Sequence, residues 1–219
     1  MDIHLRYSIR VATKINIEAM TKLHCESFRP NENVPIMLGP RYVKATYRWF
    51  VTSKRAYALV AEDEDGIKGL IAVCDGPFTY PMFIACLGEL FVSLIRHPSL
   101  LLNRNLRRRL FRRPDVSEVS RKIADQPGFA QMIIGAVDKN IRGKGVFPDL
   151  VKATISISRK RGSWAIRAGI YKSNQPSRRV FIKEGWIKTP ELETEDTVFY
   201  VYYLDPTFPR LLGLISKDN

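Results

Sequence analysis

Apolar positions along the chain follow two periodicities, and their order predicts a mixed α/β domain. Segment 15–28 places Ile17, Met20 and Leu23 on one helical face together with His24. Segment 197–204 instead alternates apolar and polar residues as a half-buried strand does. Strands are predicted at 7–11, 56–61, 67–73, 131–137, 164–171, 186–189 and 197–204. Helices are predicted at 15–28, 41–52, 147–160 and 175–184, and segment 77–127 is predicted to be a helical insert. Segment 29–40, with three prolines and a glycine, is predicted to be a loop, and segment 62–66 is predicted to be the turn of a hairpin.

A charged, glycine-containing junction links the fourth predicted strand to the next helix. The junction reads Asn-Ile-Arg-Gly-Lys-Gly-Val at 140–146. Such a junction directs backbone N–H groups and a helix N-terminus at one point, which suits an anion such as a pyrophosphate. Gly143 and Gly145 permit positive φ and close approach of the backbone, and Arg142 and Lys144 add charge. The loop has neither the GxxxxGK[ST] of a P-loop nor the GxGxxG of a dinucleotide fold.

Two motifs of this sequence resemble signatures of the GNAT superfamily of N-acetyltransferases. Segment 137–146 resembles the acyl-CoA loop, [Q/R]-x-x-G-x-[G/A]; Arg142 and Gly145 match, and Phe147 stands in place of the last small residue. Segment 174–186 resembles the N-x-x-[A/S]-x-x-[L/V]-[Y/F]-x-x-x-G-[F/W] stretch that ends the last helix of the family. The motifs occur in the family's order, and the resemblance extends over the chain apart from the insert.

The resemblance implies a fold and a reaction. The fold would be a single GNAT-like domain over 1–219, with a mixed, largely antiparallel central sheet, helices on both faces, and the insert at about 77–127 between the third and fourth strands. The reaction would be attack of a neutral amine on the thioester of acetyl-CoA or another acyl-CoA. The central strands would separate after Val137, so that pantetheine lies along the strand edge and backbone N–H groups stabilise the oxyanion. The implied cofactor-binding residues are Gly135, Ala136, Val137, Arg142, Gly143, Lys144, Gly145, Val146, Phe147, Asn174, Ser177 and Phe181.

The general acid is where the chain departs from the family. Phe181 occupies a position that carries tyrosine in many members, and phenylalanine has no proton to give. Tyr171, at the end of the preceding strand, is the candidate that could protonate the departing thiolate instead. Alternatively the thiolate, with a free-thiol pKa near ~8.5, leaves and is protonated by solvent, or the protein has lost activity.

The general base has two carboxylate candidates, and water next to Gln131 is a third candidate. Glu89 lies in an otherwise apolar run and would share a helix face with Ser93 and Arg96. It either faces the acceptor pocket as a catalytic group or belongs to a solvated hydrogen-bond set with those two neighbours. Asp75, which precedes Gly76, reads more simply as a turn residue.

Composition is that of a globular, basic protein. The chain has 219 residues, 45% of them hydrophobic, and a net charge of +13. Cys25, Cys74 and Cys86 have no CxxC spacing, and the three histidines are scattered, so we expect reduced packing cysteines and no metal site. No apolar signal segment follows Met1, so the expected location is cytoplasmic, with peripheral contact at the inner membrane surface as a further possibility.

The insert is the most individual part of the sequence. Its first half is an apolar run of about 15 residues, which is too short to span a bilayer. Its second half, 99–113, places Leu102, Leu106 and Leu110 at a spacing of four among six arginines, as a basic amphipathic helix does. Four readings stay open: contact with an anionic membrane, a clamp on an anionic acceptor, RNA binding, and a solvated lid. RNA binding is the weakest, because no aromatics are interleaved with the arginines.

These observations leave the acceptor open. The preferred acceptor is the primary amine of a small molecule, such as an amino sugar on an anionic carrier, with a protein or a tRNA as rival. The alternative from a different class is a catalytically silent module that binds CoA or a membrane surface.

Overall fold

One sheet of seven strands, in the order β1-β2-β3-β4-β5-β7-β6, forms the centre of the molecule. The computed structural model describes residues 7–29, 33–104, 106–107 and 126–205. Every neighbouring pair of strands is antiparallel except β4 and β5, which are parallel. The predicted mixed, largely antiparallel sheet is therefore confirmed. The strands are β1 Ser8–Val11, β2 Ala56–Asp63, β3 Gly66–Asp75, β4 Phe129–Val137, β5 Ala165–Tyr171, β6 Ile187–Lys188 and β7 Thr197–Tyr203.

Helices cover both faces of the sheet, because the central strands are apolar on both sides. Alternate residues of β3 enter opposite cores: Leu70 packs with the helices α1 and α3, and Ile71 packs with α5 and α6. Both side chains are fully buried, so truncating either to alanine would cost roughly 2–5 kcal/mol. The helices are α1 Ile17–Ser27, α2 Val34–Leu38, α3 Pro40–Thr52, α4 Thr79–Arg96, α5 Val146–Lys160 and α6 Gln175–Lys183.

The hairpin between β2 and β3 is tighter than its sequence predicted. The expected loop ran from 62 to 66, but Asp63 pairs with Gly66, so only two residues form the turn. The Asp63 carboxylate accepts a hydrogen bond from the backbone N–H of Asp65 at 2.9 Å, and the ammonium group of Lys68 lies 3.2 Å from it. Local polar contacts thus extend both strands.

Prolines account for two differences from the predicted helices. The region 29–40 was expected to be a loop, but it contains α2, with Pro35 in the first turn and the Asn33 side chain accepting from the backbone N–H of Ile36. Both residues suit a helix start. The expected helix 99–113 is wrong at its beginning, because Pro98–Leu102 forms a 3₁₀ turn and helical structure starts only at Arg104. Residues 108–113 lie outside the described residues.

Helix α4 lies in the segment 77–127 that the sequence predicted to be a helical insert, and it packs along α2 and α3. Cys86 and Leu90 are its buried apolar residues, and they lie in one cluster with Tyr42 of α3. Within the described ranges, α4 is the helix whose 18 residues and mean hydropathy of 1.3 would allow it to cross a membrane by length and composition alone. It is longer than the apolar run of about 15 residues that the sequence suggested.

His24 is buried on the apolar face of α1, as the helical pattern predicted. Its Nδ1 lies 2.7 Å from the hydroxyl oxygen of Tyr47 on α3. Burial lowers the pKa of His24 to about 4, and the nearby Asn33 side chain opposes this shift to a smaller extent. The imidazole is therefore neutral in the folded protein at neutral pH.

This burial makes stability depend on pH in a defined interval. The unfolded chain protonates His24 below about pH 6.5, whereas the folded protein does so only near pH 4. Its contribution is therefore complete above the unfolded pKa and is lost as the pH falls from 6.5 to 4. At ~1.4 kcal/mol per pKa unit, the loss is roughly 3 kcal/mol.

Urea unfolding between about pH 7 and pH 4 checks this expectation. The His24→Asn variant should lose about 3 kcal/mol less than the wild type across the interval, whatever the acidic residues contribute to both proteins. Parallel pH profiles for the two proteins would contradict a neutral, buried His24.

Candidate active site

The central parallel pair of strands separates halfway along its length. β4 pairs with β5 only from Phe129 opposite Ala165 to Met132 opposite Ala168. Beyond that point β4 stays paired with β3, and β5 stays paired with β7 as far as Tyr171. A wedge-shaped gap thus opens inside the sheet. The family resemblance placed the separation after Val137, but the ladder ends five residues earlier, at Met132.

A β-bulge lies where the strands separate. In the β3–β4 ladder Val73 is opposite Met132 and Ala72 is opposite Ile134, so Ile133 is an extra residue. As a result Ile133 and Ile134 both pack towards the α1 and α3 core, where regular alternation would send them to opposite faces. A bulge bends its strand, and here the bend directs β4 away from β5.

The edge of β4 along the gap is formed by Gly135, Ala136 and Val137, the residues predicted to contact pantetheine. Ala136 packs in the α1 and α3 core, and Val137 packs in the α5 and α6 core. A side chain at Gly135 would place its Cβ 2.9 Å from Cε2 of Phe147. Only glycine therefore fits at Gly135 while the Phe147 ring lies over it.

The loop after β4 is held by its own polar groups. The Asp138 carboxylate accepts from the backbone N–H of Asn140 at 2.9 Å, and the Arg142 Nε donates to the carbonyl oxygen of Val137 at 3.1 Å. Arg142 thus ties the loop to the last residue of β4. Gly143 and Gly145 have φ of 81° and 89°, as the sequence predicted. A Cβ at either glycine would meet no atom within 4 Å, so backbone conformation rather than space requires glycine.

The loop delivers backbone donors to the N-terminus of α5. Gly145 precedes Val146, the first residue of the helix, and no side chain caps it. Within the described residues, no protein oxygen accepts from the backbone N–H groups of Gly143, Gly145, Val146 or Phe147. These groups and the helix dipole favour an anion, and the exposed Lys144 adds charge.

One carboxylate lies in the first turn of α5 and would oppose an anion there. Asp149 accepts a hydrogen bond from the Tyr7 hydroxyl at 2.5 Å and lies 3.8 Å from the ammonium group of Lys152. Burial, followed by the hydrogen bond to Asp149, raises the pKa of Tyr7 to about 12, so the phenol stays a donor. These two contacts offset the negative charge of Asp149 beside the loop.

The two departures from the family motifs touch each other. Phe147 and Phe181 pack edge to face with ring centroids 5.9 Å apart. Phe181 is fully buried, stacked on Tyr200 at 5.8 Å and edge-on to Trp186 at 4.8 Å. Phe147 therefore contacts Gly135 on one side and Phe181 on the other, so the substitutions form one packed unit.

Two further predicted cofactor residues begin α6. The Asn174 side chain accepts from the backbone N–H of Ser177 at 3.2 Å and so caps the helix. Tyr171, the acid candidate, lies at the end of β5 with 38% of its surface exposed. It is therefore at the same end of the sheet as Val137, on the other side of the gap.

The two carboxylate candidates lie in ion pairs. Glu89 on α4 accepts a hydrogen bond from the Nε of Arg41 on α3 at 3.0 Å. The solvated set expected from the sequence joined Glu89 to Ser93 and Arg96 of its own helix, and it did not include this contact between helices. Asp75 accepts two hydrogen bonds from Arg161, at 2.8 and 3.1 Å. It pairs with Ala130 at the start of β4, the end away from the gap. Asp75 therefore lies outside the gap.

A polar pair inside the sheet was not foreseen as a unit. Arg167 of β5 donates to the side-chain oxygen of Gln131 at 2.7 Å, and Gln131 donates to the carbonyl oxygen of Gly76 at 2.9 Å. The Arg167 guanidinium lies over the Phe199 ring at 5.3 Å. The sequence signal was a glutamine and an arginine in otherwise apolar strands. They join β4 to β5 directly before the gap opens.

Comparisons with known proteins identify the fold. No protein-family model matches the sequence, and no curated protein matches it by sequence. Among solved structures, the ribosomal-protein-S18-alanine N-acetyltransferase from Escherichia coli has a TM-score of 0.56 and 10% identity, over 91% of this chain and 95% of that one. An N-acetyltransferase from Staphylococcus aureus has a TM-score of 0.55 and 16% identity, over 91% and 99%. A Salmonella typhimurium protein described as an acetyltransferase and solved with its cofactor acetyl-CoA has a TM-score of 0.53 and 16% identity, over 91% and 95%.

The structure of this chain matches solved N-acetyltransferases over nine-tenths of its length. The same structure contains the seven-strand order, the divided parallel pair and the glycine loop before α5. This chain has the GNAT N-acetyltransferase fold.

Proposed function

We propose that the protein is an acyl-CoA-dependent N-acyltransferase that uses acetyl-CoA as its co-substrate. The observation that carries the proposal is the continuity of the open β4 edge with the donor-rich loop at Gly143 and Gly145. A molecule with an extended amide chain and a pyrophosphate matches that surface. The chain would pair with the strand edge, and the pyrophosphate would accept from the helix N-terminus.

The reaction forms a C–N bond and breaks the C–S bond of the thioester. A neutral amine attacks the carbonyl carbon, and charge collects on the carbonyl oxygen. Backbone N–H groups along the open edge of β4 would stabilise that charge, as an oxyanion hole does. The collapse of the intermediate releases the CoA thiolate, and the amine loses its proton to a base or to water.

Protonation of the thiolate is assigned to Tyr171 or to solvent. Phe181 has no hydroxyl, and its ring is fully buried. Tyr171 lies across the gap from the end of β4 and is partly exposed. A thiolate whose conjugate acid has a pKa of ~8.5 also leaves without an acid, so Tyr171→Phe should lower kcat by no more than ~10-fold.

The acceptor proposed first is the primary amine of a small molecule, such as an amino sugar on an anionic carrier. Glu89 remains the carboxylate proposed for the acceptor side, and its Oε2 accepts a hydrogen bond from Arg41 at 3.0 Å. The second candidate is a protein N-terminus, which is favoured by the structural likeness to the ribosomal-protein-S18-alanine N-acetyltransferase. The different-class alternative, a silent CoA-binding module, draws on the missing hydroxyl at Phe181.

An acceptor panel separates these functions. The protein would be incubated with acetyl-CoA and with amino sugars, nucleotide-linked amino sugars, or peptides that begin with alanine. CoA release and the mass of the product would be measured together. Release of CoA that depends on the amine, together with a product heavier by one acetyl group, supports the enzyme. The amine that is acetylated then identifies the acceptor class. CoA binding without turnover on any amine would favour the silent module.

The loop prediction concerns Gly145. Gly145→Glu should abolish CoA binding, because the carboxylate repels a pyrophosphate and the positive φ of 89° disfavours a side chain. The strain, about 1–2 kcal/mol, and the open space around the Cβ position should leave the protein folded. Calorimetric titration with CoA measures the effect.

Gly145→Asn is the matched control, since asparagine tolerates a left-handed backbone and carries no charge. It should retain most of the CoA affinity of the wild type. If the glutamate variant is folded and binds CoA as the wild type does, the loop is not the phosphate site.

The aromatic pair yields a second variant test. The family resemblance favours a proton donor at Phe181, but Phe147 packs against that ring and against Gly135. Phe181→Tyr alone should stay folded, lose roughly 1–3 kcal/mol if its hydroxyl finds no partner, and change kcat little. The double variant Phe147→Ala, Phe181→Tyr should raise kcat above that of Phe147→Ala.

Steady-state rates for the wild type, both single variants and the double variant complete the cycle. If Phe181→Tyr raises kcat no more in the Phe147→Ala background than in the wild type, the Phe147 ring is not what separates position 181 from the gap.

A further inference from the structure

Helix α4 presents an apolar stripe to solvent. The exposed fractions are 74% for Tyr80, 46% for Ile84, 60% for Phe91 and 79% for Ile95. The spacing of these residues, with Gly88 between Ile84 and Phe91, follows one face of a helix. Isolated apolar residues on a surface are ordinary, but a continuous stripe of this kind marks a contact surface.

The opposite face of α4 is already occupied. Cys86 and Leu90 are buried against α2 and α3, and Glu89 is ion-paired with Arg41 of α3. The helix therefore lies along the body of the protein and cannot be surrounded by lipid. Although its length and hydropathy would permit a membrane span, its packing permits only contact from one side.

The apolar stripe continues into a basic rim. Leu101 and Leu102, in the 3₁₀ turn that follows α4, are 56% and 81% exposed. Arg96, Arg104 and Arg107 are exposed beside them in the chain. Between residues 79 and 107 the sequence contains one acidic residue, Glu89, whose charge is paired. The exposed charge of this region is therefore positive throughout.

We propose that this surface, formed by the α4 stripe, Leu101, Leu102 and the three arginines, docks the protein on an anionic membrane. Apolar side chains beside exposed arginines complement a lipid layer with acidic headgroups, since the former enter the acyl boundary and the latter meet phosphates. Tyr80, with an apolar ring and a polar hydroxyl, suits the interface. The net charge of +13 adds long-range attraction to the same partner.

This docking goes beyond acyl transfer and stands without it. The sequence suggested membrane contact through the arginine-rich segment 99–113, whereas the structure assigns the apolar contact to α4. An acyltransferase docked in this way would act beside the bilayer, where lipid-linked amines are at hand.

Vesicle cosedimentation of the full chain tests the proposal. The vesicles would be phosphatidylcholine alone, or phosphatidylcholine with about one third phosphatidylglycerol. Wild type should bind the anionic vesicles, bind the neutral ones far less, and lose affinity steeply with salt. The variant Ile84→Ser, Phe91→Ser, Ile95→Ser should bind the anionic vesicles at least about tenfold more weakly.

Matched controls separate the stripe from apolar surface in general. Ile15→Ser with Ile187→Ser removes two side chains that are 85% and 54% exposed elsewhere on the protein, and should bind vesicles as wild type does. Arg96→Gln, Arg104→Gln, Arg107→Gln should weaken binding and flatten its salt dependence. Unchanged melting temperature and CoA affinity would show that each variant is folded.

Three results would overturn the proposal. In the first, wild type stays in the supernatant with both kinds of vesicle. The same result is expected if another part of the chain shields the stripe. In the second, the serine variant binds like wild type. In the third, wild type forms a dimer without lipid that the serine variant abolishes, and vesicle binding is absent; the occupant is then a second copy. None of these results bears on acetyl transfer, which the amine panel measures separately.

Discussion

The extra residue in β4 is the feature on which the rest of the site depends. One inserted residue, Ile133, shifts the register with β3 and coincides with the end of pairing to β5. The sheet thus opens at its centre while β3 and β7 hold the two outer sides of the gap. Strand edges without partners expose N–H and C=O groups that bind another extended chain readily. The fold places such edges where a ligand can reach them and keeps them between two firmly paired neighbours.

The anion-binding loop is positioned by the same strand. Arg142 returns to the carbonyl oxygen of Val137, and the backbone N–H of Asp138 donates to the carbonyl oxygen of Lys68 on β3 at 2.9 Å. These two hydrogen bonds therefore hold the loop against the strands that form the open edge. This arrangement suits a ligand of which two parts must be bound at a fixed separation, since a preformed site reduces the entropy cost of binding.

The strands and most helices could be predicted because their apolar residues repeat with a period of two or 3.6. The glycine loop could be predicted because positive φ and a helix N-terminus have local sequence signals. The position of the gap could not, because Ile133 and Ile134 lie in a continuous apolar run in which no period shows the bulge. The ion pair of Arg41 and Glu89 was missed because its partners are 48 residues apart. Helix α2 was missed because its proline was read as a loop marker rather than as a first-turn residue.

The contact between Phe147 and Phe181 indicates that these two departures from the family motifs are coordinated rather than signs of decay. Phe147 in place of a small residue fills the space over Gly135, where a Cβ would lie 2.9 Å from the ring. Phe181 in place of tyrosine packs edge-on against that same ring. At position 181 a tyrosine hydroxyl would be enclosed by Phe147, Trp186 and Tyr200, and without a hydrogen-bond partner its burial would cost desolvation free energy. With Phe147 present, a tyrosine at this position therefore has no advantage over phenylalanine. A site that had merely lost selection would accumulate unpacked groups. Here the residues fit one another, while the backbone donors at the gap and the loop remain in place.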